Sequence, residues 1–350
     1  MANSIKVLIV DDSALMRVMI RDILAEDPLI ETEKATDGED ALKKIASWSP
    51  DVVTLDVAMP KMGGLETLRR IMKQRPARVI MLSGLDDPKI VFDALKEGAL
   101  DFIVKPSGQV SHDIGKLSEE ILVKVKMAAN VDLKHVAKLS SRGIALTLNR
   151  KFRPTNKKAI AIGASSGGPP ALELIVAALP DNFAFPVFIV QHLPVGFSKS
   201  LAGRLDSASK LKVKEGENGE VVKKGVVYLA PAGSHMTVDK PMSNIAEIIR
   251  LDHEAPIGGL RPSVDRMMKS VAEIYGPGSI GVLLTGMGCD GAEGLGVIKE
   301  NKGTTIVQDK QSSVVFGMPG AAVKRGHADK VVPLKKIAEA IIKAVNGGWE

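Results

Sequence analysis

Val7-Leu8-Ile9-Val10-Asp11-Asp12 is a short apolar, β-rich run that stops abruptly at two carboxylates. Bounded by turn residues, a run of this length reads as a strand. The same unit of apolar run, turn and helix-period segment recurs five times, with strands expected at 5–10, 29–35, 51–55, 78–82 and 100–104. The first intervening helix is marked by Leu15, Val18, Met19 and Ile23 on one face. Thr36-Asp37-Gly38-Glu39 reads as a capping box opening the second. Asp87-Pro88 supplies a cap and an N1 proline for the fourth, and 113–129 carries Leu117, Ile121, Leu122 and Val125 at helical spacing. Strands alternating with helices predict a parallel, doubly wound sheet.

The 350 residues exceed one such unit, and at about 150 residues per domain they predict two. A second alternating pattern starts at Ala159 and closes on an amphipathic helix bearing Leu334, Ile337, Ala338, Ile341 and Val345. Within it, 211–229 reads as a hairpin turning at Gly216 and Gly219. The expected fold is α/β: two doubly wound parallel-sheet domains, the first flavodoxin-like over 1–129, the second Rossmann-like over 158–350 with a β-hairpin insertion. Residues 130–157 read as a basic linker ending in Arg150-Lys151-Phe152-Arg153-Pro154.

The net charge of +6 invites a nucleic-acid reading, but its distribution argues against one. Residues 1–108 carry 15 basic and 18 acidic side chains, 109–158 carry 11 and 4, and the rest carry 21 and 19. The excess belongs to the connector, which reads as a solvated tether. A lone cysteine, Cys289, excludes a disulfide framework, and no Cys/His spacing suits zinc. The longest apolar run, Phe183 to Val190, is far short of the ~20 residues a spanning helix needs. With no signal-like start, the expectation is a cytoplasmic protein without membrane insertion.

In the first domain Asp11 and Asp12 follow strand one, Asp56 closes strand three, Ser83 ends strand four and Lys105 ends strand five. Ligands of open parallel sheets bind outside the carboxyl ends of the strands. Strand order 2-1-3-4-5 makes strands one and three neighbours, so three carboxylates converge. They repel one another unless a hard divalent cation sits among them, and Mg²⁺ suits carboxylate-plus-phosphate coordination. Lys105 and the Ser83 hydroxyl can then bind a phosphoryl group on Asp56. These residues, with Asp56-Val57-Ala58-Met59-Pro60-Lys61-Met62-Gly63-Gly64 and Lys105-Pro106, resemble the receiver domain of two-component response regulators over residues 4–125. The resemblance implies phosphorylation of Asp56 by a histidine kinase. It also implies Mg²⁺ held by Asp12 and Asp56, with Asp11 near and the Ala58 carbonyl contributing, switch positions at Ser83 and Phe102, and a cis peptide at Lys105-Pro106.

In the second domain Gly163-Ala164-Ser165-Ser166-Gly167 matches G-x-S-x-G, a turn that exposes a Ser hydroxyl at the top of a parallel sheet. A serine nucleophile needs a base and a group to orient it. His192, just past strand 186–191, is the first choice of base and His235 the second; His253 and His327 sit in polar loops. For the acid, Asp290 in a Gly-rich loop competes with Asp265, which reads as a helix-start residue. Cys289 reads as a small packed residue.

Ile162–Gly168, Gln191-His192-Leu193-Pro194, Ala230–Met236, Arg261-Pro262-Ser263-Val264-Asp265 and Thr285–Gly291 resemble the catalytic domain of chemotaxis protein-glutamate methylesterases. The resemblance covers 158–347, with Ser166 where Thr is common and Cys289 where Asn is common. It implies a triad of Ser165, His192 and Asp290 and an oxyanion hole near Ser166 and Met287, with no cofactor for the ester reaction. It implies demethylation of glutamate γ-methyl esters, and deamidation of glutamines, on methyl-accepting chemotaxis receptors, restrained by the unphosphorylated receiver. The competing expectation is a phosphorylation-dependent binding or DNA-associated regulator with an idle α/β domain.

Overall fold

A computed structural model describes residues 4–84, 88–106, 114–133, 158–241 and 246–347, and the chain divides into two compact units, Met1–Ser141 and Arg142–Glu350. In the first, strands β1 (Ile5–Val10), β2 (Ile30–Ala35), β3 (Val52–Asp56), β4 (Arg78–Ser83) and β5 (Asp101–Val104) alternate with helices α1 (Ala14–Leu24), α2 (Gly38–Trp48), α3 (Gly64–Gln74), α4 (Pro88–Lys96) and α5 (Ile114–Ala129). The sheet order is β2-β1-β3-β4-β5 and every pairing is parallel. Val7 to Val10 are fully buried, as expected for a strand covered by helices on both faces. Register pairs Val10 with Leu55, Asp56 with Leu82 and Ser83 with Val104, so the chemistry-bearing strand ends share one edge.

The cap of α2 lies one residue later than the sequence reading placed it. Asp37, not Thr36, is the cap: its carboxylate oxygen Oδ1 accepts from the amides of both Glu39 and Asp40. Asp40 returns the bond to the Thr36 amide. Asp87 and the stretch 134–157, most of the expected linker, lie outside the described residues.

The second unit is built on a seven-stranded, all-parallel sheet in the order β14-β13-β12-β6-β7-β9-β8. Its strands are β6 (Ala159–Ala164), β7 (Val187–Gln191), β8 (Lys212–Glu215), β9 (Val226–Leu229), β12 (Ser279–Leu283), β13 (Thr304–Gln308) and β14 (Lys330–Val332). Helices α6 (Gly168–Ala178), α7 (Ser198–Ala208), α8 (Val264–Tyr275), α9 (Ala292–Glu300), α10 (Met318–Lys324) and α11 (Leu334–Val345) complete it. The chain leaves β6 toward β7 on one side and later returns through β12 on the other. That reversal is a topological switch point, where open α/β sheets bind ligands.

A hairpin is present, but not at 211–229. β8 and β9 pair parallel at the sheet edge, and the antiparallel ribbon is β10 (His235–Asp239) with β11 (Ile248–Asp252). Gly216 is a packing glycine rather than a turn residue. Its amide extends the ladder to the Leu229 carbonyl, and a Cβ on it would stand 2.9 Å from Met236 Sδ. The segment after it runs along β11, bonding through Gly219, Glu220 and Val222, and so crosses over instead of folding back.

Candidate functional site

The acidic edge of the first unit gathers five polar residues. Carboxylate oxygens of Asp11, Asp12 and Asp56 lie within 4.8 Å of one another, Asp12 being exposed and the other two buried. Lys105 Nζ stands 2.7 Å from Asp11 Oδ2 and 2.8 Å from Asp56 Oδ1. Burial pushes the Asp56 carboxyl above the usual carboxylate range; the Lys105 ammonium opposes this and the Asp11 charge adds to it. Burial also acts to lower Lys105, but its bonds to the two carboxylates overcome that and hold it above its ordinary value. One ammonium facing three carboxylates leaves negative charge to neutralise, so the all-oxygen donor set fits a hard divalent cation.

The Ser83 hydroxyl donates to the Gly84 carbonyl, and Phe102 is buried. The Ala58 amide donates to Asp56 Oδ1 at 3.2 Å. The cis peptide among the described residues is Arg261–Pro262, so the expected cis bond at Lys105–Pro106 is not found.

In the second unit three adjacent strands deliver one residue each. Ser165 follows β6, His192 follows β7, and Asp290 lies in the loop after β12. Backbone bonds continue the pairing past the strand ends: His192 N to Ala164 O at 3.1 Å, Leu284 N to Gly163 O at 2.9 Å, and Ser165 N to Thr285 O at 3.0 Å. The Ser165 turn needs its glycines. Gly167 has φ +75°, a left-handed conformation that strains other residues. On Gly168 a Cβ would stand 1.9 Å from Gln191 Oε1.

His192 Nε2 and Asp290 Oδ2 are 2.9 Å apart. Asp290 also accepts from the Ser263 hydroxyl (2.9 Å) and from the amides of Val264 (2.7 Å) and Asp265 (2.9 Å), so it sits on the N-terminus of α8. Burial acts to raise this carboxyl, but the His192 bond and the α8 amides outweigh it and hold it below the usual range. An ionised acid makes Nε2 the protonated ring nitrogen and leaves Nδ1 free to act as base. No hydrogen bond joins Ser165 Oγ to His192 among the described contacts; such bonds commonly close only with substrate bound.

Asp265, the competing acid, accepts from the amides of Gly291 and Gly294 at 2.8 and 2.7 Å. It therefore anchors the start of α9 while Asp290 anchors the start of α8. Burial and the Asp290 charge raise its carboxyl. His235 is fully buried at the head of β10, away from the role of base. His253 bonds Gly233 O and Ser234 Oγ, and His327 bonds Ala292 O. Cys289 is exposed rather than packed, because the loop turns at left-handed Gly288 and Gly291 on either side of it and presents it outward.

Ser166 is buried, and Thr285 Oγ1 donates to its carbonyl. The Met287 amide makes no hydrogen bond among the described residues, so it can donate to a developing oxyanion. Gln191 belongs to the Gln191-His192-Leu193-Pro194 motif, which by itself gives it no role. Its amide nitrogen donates to the Ser165 carbonyl (2.9 Å) and the His192 carbonyl (3.0 Å), tying the two turns together. The signal lay in its position: it precedes His192 on the strand beside the Ser turn.

Residues 160–341 match the family model for CheB methylesterase, and residues 7–112 match that for a response regulator receiver domain. A protein-glutamate methylesterase/protein-glutamine glutaminase of Pyrococcus horikoshii is 44% identical over 350 residues, covering 99% of this chain and 95% of the relative. One of the same description from Thermotoga maritima is 42% identical over 344 residues, covering 97% and 98%. The crystal structure of the Thermotoga maritima CheB methylesterase catalytic domain aligns with TM-score 0.52 and 46% identity, covering 54% of this chain and 99% of that one. With a receiver at one end and this catalytic unit at the other, the chain belongs to the CheB methylesterase family.

Proposed function

We propose that this chain is a phosphorylation-activated serine esterase that hydrolyses γ-methyl esters of glutamate on methyl-accepting chemotaxis receptors and deamidates receptor glutamines. The observation that carries it is the His192–Asp290 pair beside the Ser165 turn, at the carboxyl edge of strands β7, β6 and β12. Ser165 Oγ attacks the ester carbonyl carbon as His192 Nδ1 takes its proton, and Asp290 stabilises the imidazolium through Nε2–H. The oxyanion is received by the Met287 amide and backbone near Ser166. The tetrahedral adduct collapses with expulsion of methanol, which leaves with the proton from His192. Water then attacks the glutamyl-enzyme, giving up its proton to His192 and yielding the carboxylate and free Ser165. A glutamine follows the same path with ammonia as the leaving group.

Asp56 accepts a phosphoryl group from a chemotaxis histidine kinase, with Lys105 and Ser83 binding its oxygens and Phe102 responding. Asp12 and Asp56, with Asp11 and the Ala58 carbonyl, would hold Mg²⁺, which neutralises phosphoryl charge. The enzyme works in the cytoplasm, where it meets the receptors' cytoplasmic helices; among the described residues no helix is long and apolar enough to cross a membrane. Residues 1–108 are net acidic and 159–350 close to neutral, a distribution that does not favour a nucleic-acid partner.

Incubating the full chain with methyl-labelled receptor membranes is expected to release volatile methanol. A small-molecule phosphodonor with Mg²⁺ should raise the rate about tenfold or more in the wild type and leave Asp56→Asn unchanged; equal stimulation of both would reject Asp56 as the acceptor. Gly286→Ala tests the tightness of the site. A Cβ there would stand 2.3 Å from Met318 Sδ and 2.8 Å from Ser165 Cβ. Displacing the nucleophile by ~1 Å should cut kcat about 100-fold, read by steady-state kinetics on the same substrate.

A further inference from the structure

We infer that Ser263 is a positioning residue that fixes Asp290 for work on His192, an inference that rests on the esterase reading above. Ser263 is fully buried, and its hydroxyl donates to Asp290 Oδ1 at 2.9 Å. The other oxygen of the same carboxylate, Oδ2, faces His192 Nε2. Without the Ser263 hydroxyl, Oδ1 keeps the Asp265 amide and Oδ2 keeps the Val264 amide, so the carboxylate stays seated but loses its one side-chain donor on the face away from His192.

Ser263 is itself held. Its amide donates to His235 Nδ1 at 3.2 Å, and His235 Nε2 faces the Ala255 carbonyl at 3.2 Å. An Nδ1 that accepts an amide proton must be bare, so the proton lies on Nε2 and bonds Ala255. A buried neutral histidine thus locks the backbone of Ser263, and Ser263 locks the acid. The hydroxyl also accepts from the Arg266 amide at 3.4 Å as the α8 cap, which is the purely structural role to be separated.

Glycine caps a helix nearly as well as serine, so Ser263→Gly removes the donor at little cost to α8. Methanol release is measured for the full chain, phosphodonor present, with Ser263→Gly, Ser263→Ala, Asp290→Asn and the two Ser263 changes on Asp290→Asn. Loss of a hydrogen bond to a charged group predicts kcat lower by about 10- to 100-fold for both single variants, with KM within about twofold. On Asp290→Asn the same changes should cost less than about twofold, because the group they position is gone. A Ser263→Gly kcat within twofold of wild type, a loss confined to KM, or an equal loss in both backgrounds overturns the inference while Ser165-dependent release stands. Equal release by wild type and Ser165→Ala overturns the esterase reading and this inference with it.

Discussion

Ser165→Ala is expected to lower methanol release from methylated receptor membranes by about 10⁵- to 10⁶-fold in kcat, the size of loss when the nucleophile of a triad is removed. The structure makes this a clean chemical deletion. Every structural bond of residue 165 is made by backbone: its amide to Thr285 O, and its carbonyl to Gly168 N and Gln191 Nε2. Alanine keeps all of them, so the turn, the Met287 amide and the His192–Asp290 pair stay in place. KM and the thermal midpoint should therefore hold while turnover collapses. Residual release above about 1% of wild type would mean that another group, or water directly, attacks the ester.

Much of this arrangement was legible because strand ends in a parallel sheet are written in simple terms. An apolar run buried on both faces must stop where the chain meets solvent, so Asp11, Asp56, Ser83 and Lys105 stand out against their neighbours, and so do Ser165 and His192. What sequence could not show was the third dimension of the supporting contacts. Gly216 looks like a turn residue until Met236 and Ile249 are seen packed against it. His235 follows a strand as His192 does, yet the chain re-enters sheet at that residue and buries it. Cys289 looks like a small residue that can pack, but the left-handed Gly288 and Gly291 of its loop turn it outward. The crossed anchoring of α8 by Asp290 and α9 by Asp265 joins residues 25 or more apart, and no local pattern encodes it.

That crossed anchoring sets the second large effect. Asp290→Asn is expected to lower kcat by about 10⁴-fold, the loss seen when the acid of a triad becomes an amide and the imidazole adopts the wrong tautomer. Here the cause is specific. Four donors converge on Asp290: His192 Nε2, the Ser263 hydroxyl and two α8 amides. A carboxylate accepts all four, whereas an amide presents one oxygen and an NH₂ that must face a donor. With the NH₂ on the Oδ1 side the Asp265 amide goes unpaired; on the Oδ2 side the Val264 amide goes unpaired and His192 must also flip its tautomer.

Stability should follow pH with a definite sign. The folded Asp290 carboxyl lies below its ordinary value of 3.8, so its contribution is present above that pH and is lost as pH falls through the folded value. Asp290→Asn should thus destabilise the catalytic unit at pH 7, by about 3 kcal/mol for a broken buried pair, and the gap to wild type should narrow in acid. Asp265 works in the opposite sense. Its carboxyl is raised by burial and by the Asp290 charge, so removing that charge relieves it and returns part of the loss. Melting curves of the two proteins at pH 7 and pH 3 test this directly: the gap should be nearly constant down to about pH 4 and narrow below it, and a gap that widens toward pH 3 would mean that the folded carboxyl takes up a proton more readily than the unfolded one, against the four donors that hold it ionised.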